Sequence, residues 1–406
     1  MKKLLLILLC IPIIGFGQSW IKTVGLSNAT GENIHQTSDG GFIICGDGYG
    51  GGGGFGYLLK TDLNGIEIWN HIENNAYFKS VAISSDGGFI VGGFKSGEPL
   101  LIKFNSNGSE QWRRNSPSGT NGQSVFALKQ NSNGDYILLG DFSSQPFVAP
   151  TLTKLDVNGN DLWINHYQMP TDLSGCYSLD QTSDGGYILK CSYDTAYGGT
   201  YLVKVDGFGY MSWAKKFTRI ASGGDRKIQT SDGGFILATP THINGNLSQY
   251  GWRLIKTDAN GNLTWDQSYL FNSIYNLIDL TSVQQTSDGG YILCGGINDP
   301  YYTTESAVLI KTNSTGVVEW EKSYSPGQYF QTKSSFCVQQ TNDGGYILCV
   351  EGIDVNFNDR IFLIKTENNG NISSTFNITL NTERKLQKTF DILGKQTKPQ
   401  TNTPLI

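Results

Sequence analysis

Charged residues are scarce in this chain of 406 residues, and they make up 16% of it. Ordinary soluble domains contain roughly 25%. The 30 basic residues are outnumbered by 35 acidic ones, which gives a net charge of −5. This balance argues against a nucleic-acid partner, because such a protein carries a basic face. Proline contributes only 11 residues, so the chain is neither collagen-like nor a proline-rich linker.

Long apolar runs are also lacking. The run Leu4–Ile14 is too short to span a bilayer. It follows two lysines and precedes Gly15–Gly17, whose small residues are typical of a cleavage site. We therefore predict that residues 1–17 are a secretory signal peptide, cut before Gln18.

A lipoprotein signal ending at Cys10 is the alternative. It is disfavoured because Leu9 stands where that signal requires a small residue. No later segment is long and apolar enough for a membrane helix, so we expect no transmembrane segment in the mature chain. The predicted location is extracellular or at the outer cell surface.

Glycine, with 51 residues, is abundant, and much of it belongs to a repeat. Seven turns of the type TSDGGY recur about every 51 residues. Their leading turn residues are Asp39, Asp86, Asn133, Asp184, Asp232, Asp288 and Asp343. Each is followed by a segment of the type LIKTDxNG, such as the one from Leu254. A tryptophan then follows in six copies, namely Trp69, Trp112, Trp163, Trp213, Trp265 and Trp320, and Phe376 in the seventh.

Each repeat parses as four strands, because Asp-Gly and Asn-Gly supply the positive φ angles of hairpin turns. Four strands per 40 to 50 residues are typical of a propeller blade. We predict an all-β, seven-bladed β-propeller over residues 18–376, with Trp20 on a strand that completes the last blade and closes the ring. A double-sheet or open β-solenoid arrangement is the alternative.

The repeat also resembles known families. LIKTDANGNLTW (Leu254–Trp265) resembles the tryptophan-docking repeats of quinoprotein-type β-propellers, and the whole unit resembles a group of secreted bacterial repeat proteins. The resemblance implies the fold but little about activity, since its motifs are turns and packing residues. Quinone-dependent dehydrogenases of this type show adjacent cysteines at the cofactor. This chain has no such pair, so we expect no cofactor.

A second resemblance lies in Glu383–Ile406, centred on KTFDILGKQ (Lys388–Gln396). This segment resembles the C-terminal sorting domain of type IX secretion in Bacteroidetes-like bacteria. The resemblance implies that residues 377–406 engage the secretion machinery. The family's tail usually runs on through another strand with basic residues, which this chain does not show. A frayed terminal strand is the alternative.

Motifs for chemistry are weak. Gly51–Gly56 satisfies GxGxxG, but a strand follows where a dinucleotide site needs a helix, so we predict a blade loop. The four histidines show no metal-ligand spacing. Three Asp-x-Asn-Gly segments superficially resemble calcium loops but lack the distal ligands, and hairpin turns explain them. They begin at Asp62, Asp156 and Asp258. We therefore predict no catalytic residues and no metal site.

Two cysteine pairs are candidates for disulfides, which an exported chain permits. Cys337 and Cys349 lie six residues before and after their turn residue, whereas Cys176 and Cys191 lie eight before and seven after theirs. These registers differ by one residue. Identical hairpins are therefore not expected to place both pairs directly opposite each other.

The loops on the face opposite the turns vary in length and are rich in aromatic residues, which suits sugar stacking or protein contacts. Packing of these loops onto the blades is the alternative for each residue. The candidate ligand-binding residues are Tyr193, Tyr197, Tyr250, Trp252, Tyr301, Tyr302, Tyr329 and Phe330.

These observations favour a non-enzymatic binding or adhesion propeller with a glycan or an extracellular protein as its ligand. A secreted carbohydrate-active enzyme of the glycoside hydrolase type and a structural surface scaffold are the alternatives. On the loop-rich face, an aromatic platform would favour binding and two facing carboxylates would favour an enzyme. A flat polar face would favour a scaffold.

Overall fold

Antiparallel β-strands are the regular elements throughout the described part of the chain. A computed structural model describes residues 19–50, 53–115, 125–144, 147–168, 173–193, 199–218, 229–242, 250–270, 278–298, 305–324, 333–353, 358–372, 389–390 and 396–397. The chain divides into two units, Met1–Ile372 and Ser373–Ile406. In the described ranges there is no helix with the length and apolarity needed to cross a membrane.

The larger unit consists of seven antiparallel sheets, numbered here as blades 1 to 7 in chain order. Blade 1 contains β2 (Ala29–Gln36), β3 (Phe42–Gly50), β4 (Gly53–Thr61) and β5 (Glu67–Asn74). Blade 2 contains β6 (Ala76–Ile83), β7 (Phe89–Lys95), β8 (Glu98–Phe104) and β9 (Glu110–Asn115). Blade 3 contains β10 (Val125–Gln130), β11 (Tyr136–Ser144), β12 (Phe147–Leu155) and β13 (Asp161–His166).

Blade 4 contains β14 (Leu173–Gln181), β15 (Tyr187–Tyr193), β16 (Gly199–Val205) and β17 (Met211–Thr218). Blade 5 contains β18 (Phe235–His242), β19 (Tyr250–Thr257) and β20 (Leu263–Leu270), with a bridge from Gln229 to Phe235. Blade 6 contains β21 (Ile278–Gln285), β22 (Tyr291–Asn298), β23 (Glu305–Thr312) and β24 (Val318–Tyr324). Blade 7 contains β25 (Lys333–Gln340), β26 (Tyr346–Ile353), β27 (Asp359–Thr366) and, as its outermost strand, β1 (Trp20–Val24).

The ring closes through the first strand. β1 runs antiparallel to β27, with Trp20 opposite Lys365. At the same seam the backbone N–H of Gln36 donates to Gln339 Oε1 at 2.8 Å, and the N–H of Asn342 donates to Gln36 Oε1 at 2.8 Å. The protein is therefore a seven-bladed β-propeller closed by its N-terminal strand, as the repeat predicts.

The strands differ in burial according to their place in the blade. Every residue of β15 and of β16 is buried, whereas β9 alternates between exposed and half-buried residues. The inner strands are covered on both faces by neighbouring blades, which explains their continuous apolar sequences.

The recurring tryptophans join each blade to the next. Each ring packs against the aromatic residue that follows the next DGG turn, at centroid distances of 5.7 to 6.2 Å. The ring also lies against the glycine of the next LIKTDxNG turn. A Cβ on Gly65, for example, would stand 2.7 Å from the Trp20 ring. The pairs are Trp20–Phe42, Trp69–Phe89, Trp112–Tyr136, Trp163–Tyr187, Trp213–Phe235, Trp265–Tyr291 and Trp320–Tyr346. Phe376 lies outside the described residues.

A lysine on the third strand of each blade reaches back to the DGG turn. Its ammonium lies 2.8 to 3.1 Å from a carboxylate in seven pairs. The pairs are Lys60–Asp39, Lys103–Asp86, Lys154–Asp135, Lys204–Asp184, Lys256–Asp232, Lys311–Asp288 and Lys365–Asp343. In blade 3 Asn133 replaces the turn aspartate, and the carboxylate of Asp135 takes over its role. The sequence analysis did not assign this role to the lysine of the LIKT segment.

These ion pairs lower the pKa of the turn aspartates. Partial burial would raise the pKa of Asp39, but hydrogen bonds from Lys60, Thr37 and the Gly41 backbone outweigh it and lower the pKa from 3.8 to about 2. The same balance brings three more turn carboxyls to about 2, those of Asp184, Asp232 and Asp288.

Stability is expected to fall steeply in acid. A carboxyl whose pKa is depressed in the folded state stabilises the protein above the unfolded pKa, and that stability is lost as the pH falls through the folded pKa. For these aspartates the window runs from about pH 4 down to about pH 2. Melting temperatures recorded from pH 6 to pH 2 test this. A flat profile between pH 4 and pH 2 would contradict it.

Both cysteine pairs lie directly opposite each other, and in one of them a bulge in the innermost strand sets the register. Cys337 lies directly opposite Cys349 in the regular part of its hairpin. In blade 4 the bulge makes Tyr177 an extra residue, so Cys176 also lies directly opposite Cys191. Both pairs are opposed because the two hairpins are not identical, since the bulge in blade 4 shifts its register by one residue.

A disulfide bond is present in one of the two pairs. Cys176 and Cys191 form a disulfide, with Cα atoms 3.9 Å apart. Cys337 and Cys349 are buried thiols.

The second unit contains β28 (Thr389–Phe390) and β29 (Gln396–Thr397), which pair antiparallel. Both strands fall within the predicted sorting tail. The structure places the unit boundary after Ile372, slightly before the predicted one. The sorting role of the tail remains a prediction, and residues 1–17 of the predicted signal peptide lie outside the described residues.

Candidate ligand-binding site

The strand order determines which connections share a face. In each blade the DGG and LIKTDxNG turns lie at one end of the antiparallel strands, which we call the turn face. The other connections lie at the opposite end, the loop face. There the structure describes blades 1 and 2 most fully, where β5 passes to β6 through Asn75 and β7 to β8 through Ser96 and Gly97.

The aspartates of the LIKTDxNG turns are occupied within their own turns. Asp62 Oδ1 accepts the backbone N–H groups of Asn64 and Ile66, both at 2.8 Å. Asp156 and Asp258 repeat this geometry. The described residues contain no group of three or more His, Cys, Asp or Glu side chains suited to a metal ion.

Two of the predicted ligand-binding aromatics are packing residues. Tyr193 is 3% exposed, and its hydroxyl donates to the Phe217 carbonyl at 3.2 Å. Trp252 is fully buried in a cluster with Leu254 and Leu280. The exposure assumed for these two side chains is not found, because they pack within and between blades.

The structure does not describe the side chains of the other six candidates. Tyr250 belongs to β19, whereas the rest lie outside the described residues. Those outside are Tyr197, Tyr301, Tyr302, Tyr329 and Phe330. Their ligand-binding role remains a prediction.

The glycine-rich segment packs against an aromatic ring. A strand and not a helix is present, as predicted, but β4 begins at Gly53, so Gly53–Gly56 belong to the strand and not to the predicted blade loop. A Cβ on Gly54 would stand 2.2 Å from Tyr77 Oη. The glycines therefore let the hairpin approach Tyr77 closely, which a larger residue would prevent.

Tyr49, Tyr77 and Phe94 form what we call the aromatic cluster, at the seam between blades 1 and 2 on the loop face. The Tyr77 and Phe94 rings are stacked, with centroids 4.8 Å apart and an interplanar angle of 17°. Tyr49 contacts Tyr77 edge-on at 5.9 Å and is 63% exposed. None of these three residues is among the ligand-binding candidates selected from the sequence. Counting outward from the turn with the bulge included would have paired Tyr77 with Phe94.

A charged cluster of Glu32, Asp47 and Lys79 lies beside these rings. Lys79 Nζ is 2.7 Å from Glu32 and 2.8 Å from Asp47. Asp47 also accepts a hydrogen bond from Thr30 Oγ1 at 2.8 Å. No sequence motif links these three residues, so the cluster is seen only in the structure.

Charges and hydrogen bonds shift the pKa of one group in each cluster. Burial would lower the pKa of Lys79, but the negative charges of Glu32 and Asp47 raise it well above its usual value. The hydrogen bond with Tyr49 raises the pKa of Tyr77, with further contributions from burial and from the charge of Asp47. The two clusters share the same pair of strands, since Asp47 and Tyr49 lie on β3 and Tyr77 and Lys79 lie on β6.

A separate ion-pair network ties blade 1 to blade 2 nearby. Glu73 is 7% exposed and bonded to Lys95 and Arg113. Burial would raise the pKa of Glu73, but these two cations lower it. This network stabilises the seam that carries the aromatic cluster.

Bulge residues occupy the same position in five of the innermost strands that the structure describes. Each innermost strand pairs on one side only, so its other edge faces the propeller axis. The bulge residue, seven positions before the turn residue, therefore lies on the strand edge that faces the axis. The described members are Glu32, Lys79, Phe126, Tyr177 and Thr281. Neighbours touch in two cases, through the Glu32–Lys79 ion pair and the Phe126–Tyr177 ring contact at 5.4 Å.

The fold is shared with solved β-propellers. The propeller of Dos1 matches with a TM-score of 0.51 at 11% identity, covering 88% of each chain. The polysaccharide lyase Uly1 matches with a TM-score of 0.53 at 9% identity, covering 84% of this chain and 90% of that one. The β-propeller domain of the Trilobed protease from Pyrococcus furiosus matches with a TM-score of 0.48 at 8% identity, covering 87% and 99%.

No protein-family model and no curated protein sequence matches the chain. At 8 to 11% identity these likenesses concern the propeller fold alone.

Proposed function

We propose that this protein is an exported, non-enzymatic propeller that binds a saccharide on its loop face at the seam of blades 1 and 2. The observation that carries the proposal is the stacked Tyr77–Phe94 pair, with exposed Tyr49, directly beside Glu32, Asp47 and Lys79. The Cys176–Cys191 disulfide supports export, because disulfides persist in oxidising compartments. We further propose that residues 377–406 engage the secretion machinery.

The chemistry of the two clusters suits a sugar. Aromatic rings with a polar tip combine an apolar face with hydrogen bonding, which matches the C–H faces and hydroxyls of a sugar ring. Carboxylates accept hydrogen bonds and an ammonium donates them, so the charged cluster can orient the hydroxyls. Binding sites commonly combine apolar surface with a few placed polar groups.

A second candidate function is glycoside hydrolysis by a retaining mechanism. Since Lys79 Nζ contacts both carboxylates, the nearest oxygens of Glu32 and Asp47 are no more than about 5.5 Å apart. Retaining enzymes place their two carboxyl groups about 5 to 5.5 Å apart. Binding is favoured because the Lys79 ammonium occupies the space between them, where the scissile bond would have to lie.

Replacing Tyr49 by alanine is expected to weaken glycan binding about tenfold, or about 1.4 kcal/mol. The exposed ring contributes contact surface to the ligand but little to the core. The full chain is applied to a glycan array, and the affinity of each variant is measured for the glycans that bind. Phe208→Ala is the matched control, because Phe208 is 78% exposed in a turn of the turn face.

Other outcomes would overturn the proposal. Equal losses for Tyr49→Ala and Phe208→Ala would place the binding elsewhere. An array with no bound glycan would favour the structural scaffold. Release of reducing sugar by the protein, abolished in Glu32→Gln, would favour the hydrolase.

A further inference from the structure

A second pair of aromatic rings lies on the channel side of blades 3 and 4. Phe126 on β10 and Tyr177 on β14 are both bulge residues, and their rings meet at 5.4 Å with an interplanar angle of 73°. Tyr177 is 44% exposed, which is unusual for a ring on an innermost strand.

The backbone around Tyr177 is built to hold that ring. A Cβ on Gly175 would stand 2.5 Å from Tyr177 Oη, so the glycine leaves the space that the ring occupies. Cys176, the residue before Tyr177, is buried and bonded to Cys191 on the neighbouring strand. The bulge that presents Tyr177 is therefore covalently fixed to β15. Among the bulges that the structure describes, only this one carries a disulfide.

The neighbouring charges indicate a neutral ligand. Lys129 and Asp180 lie three residues farther along the same two strands and form an ion pair at 2.7 Å. Three residues of strand span roughly 10 Å. The pair carries no net charge. An exposed tyrosine ring in such surroundings suits a neutral molecule with an apolar face and many hydroxyls, that is, a sugar.

We propose that Phe126 and Tyr177 form a second saccharide subsite in the channel, and that the Cys176–Cys191 disulfide holds Tyr177 in position there. This inference rests on the proposed function, since it places a second binding site for the same class of ligand at another seam. Tyr177 contacts the sugar, whereas Cys176 and Cys191 are positioning residues.

The test uses 3-fluorotyrosine at position 177 of the full chain. Cellotetraose and maltotetraose, two neutral glucose tetrasaccharides, are added while the fluorine resonance is recorded. We expect the resonance to shift with at least one of them, and Tyr177→Ala to weaken its binding about tenfold.

The disulfide is tested without any sugar. In Cys176→Ser/Cys191→Ser we expect the fluorine resonance to move and broaden before ligand is added, because the ring is no longer held. Cys337→Ser/Cys349→Ser is the matched control, since that pair is also buried and directly opposed across a hairpin, and it is expected to leave the resonance unchanged. Melting temperatures of both double variants verify that they are folded.

The outcomes separate this proposal from the proposed function. If Tyr49→Ala weakens binding while neither sugar shifts the fluorine resonance at position 177, the subsite proposal is wrong and the proposed function stands. If no sugar binds in either experiment, both are wrong. An unchanged resonance in Cys176→Ser/Cys191→Ser overturns the positioning role, whatever the sugars do.

Discussion

Replacing Trp20 by alanine is expected to lower the free energy of unfolding by about 3 kcal/mol. Deleting a fully buried tryptophan side chain costs about 3 to 5 kcal/mol, and the half-buried Trp20 belongs at the lower end. The variant loses the contact with Phe42 and leaves a void beside Gly65. Because this contact joins blade 7 to blade 1, the ring loses part of its closure as well as apolar contact. Urea denaturation followed by fluorescence measures the change.

Two controls separate closure from packing. Ile21→Ala alters the same strand at a residue that is 39% exposed and is expected to change stability little. Trp213→Ala removes the equivalent contact with Phe235 at an internal seam. A loss for Trp20→Ala no larger than for Ile21→Ala would contradict the closure assignment. A loss larger than for Trp213→Ala would measure what closure adds.

Replacing Asp232 by alanine is expected to cost about 2 kcal/mol. The carboxylate accepts hydrogen bonds from Thr230 Oγ1 at 2.6 Å and from the Gly234 N–H at 3.0 Å, and it lies 2.8 Å from Lys256 Nζ. Its removal leaves an ammonium on a side chain that is only 6% exposed. Breaking a fully buried pair costs about 3 to 5 kcal/mol, and the exposure of Asp232 reduces that figure. Thermal and urea unfolding measure the loss.

A double variant identifies the cause. Lys256→Met in the Asp232→Ala background removes the unpaired ammonium and is expected to restore part of the lost stability. Asp258→Ala in the same blade removes an exposed turn carboxylate that caps only its own turn, and its effect is expected to be smaller. If Lys256→Met destabilises the Asp232→Ala variant further, the buried charge is not the source of the loss.

The fold was predictable because its signals are local and recur. A DGG turn demands a hairpin wherever it stands, and Trp69 or Trp265 follows its LIKTDxNG turn at nearly constant spacing. Seven such units and one additional tryptophan, Trp20, suffice to predict a closed ring. The short antiparallel strand pair around Phe390 likewise falls inside the segment marked by its resemblance to a sorting tail.

The candidate site was less predictable, because residue type alone does not determine whether a side chain is buried. Tyr193 and Trp252 are residue types that are typical of binding loops, yet both side chains pack into the core. Glu32 and Lys79, 47 positions apart, meet only after blades 1 and 2 have packed side by side. The Lys256–Asp232 pair lies within one blade, and it forms only once the hairpin of that blade has folded.

The sequence by itself determined the order of strands and turns in each repeat, the number of blades and the strand that closes the ring. These follow from turn geometry and packing within units of about 51 residues. Only the tertiary structure decided which residues of the innermost strands lie opposite their neighbours, because a bulge residue such as Tyr177 shifts the register by one. That shift placed Tyr177 beside Phe126 and brought Cys176 opposite Cys191.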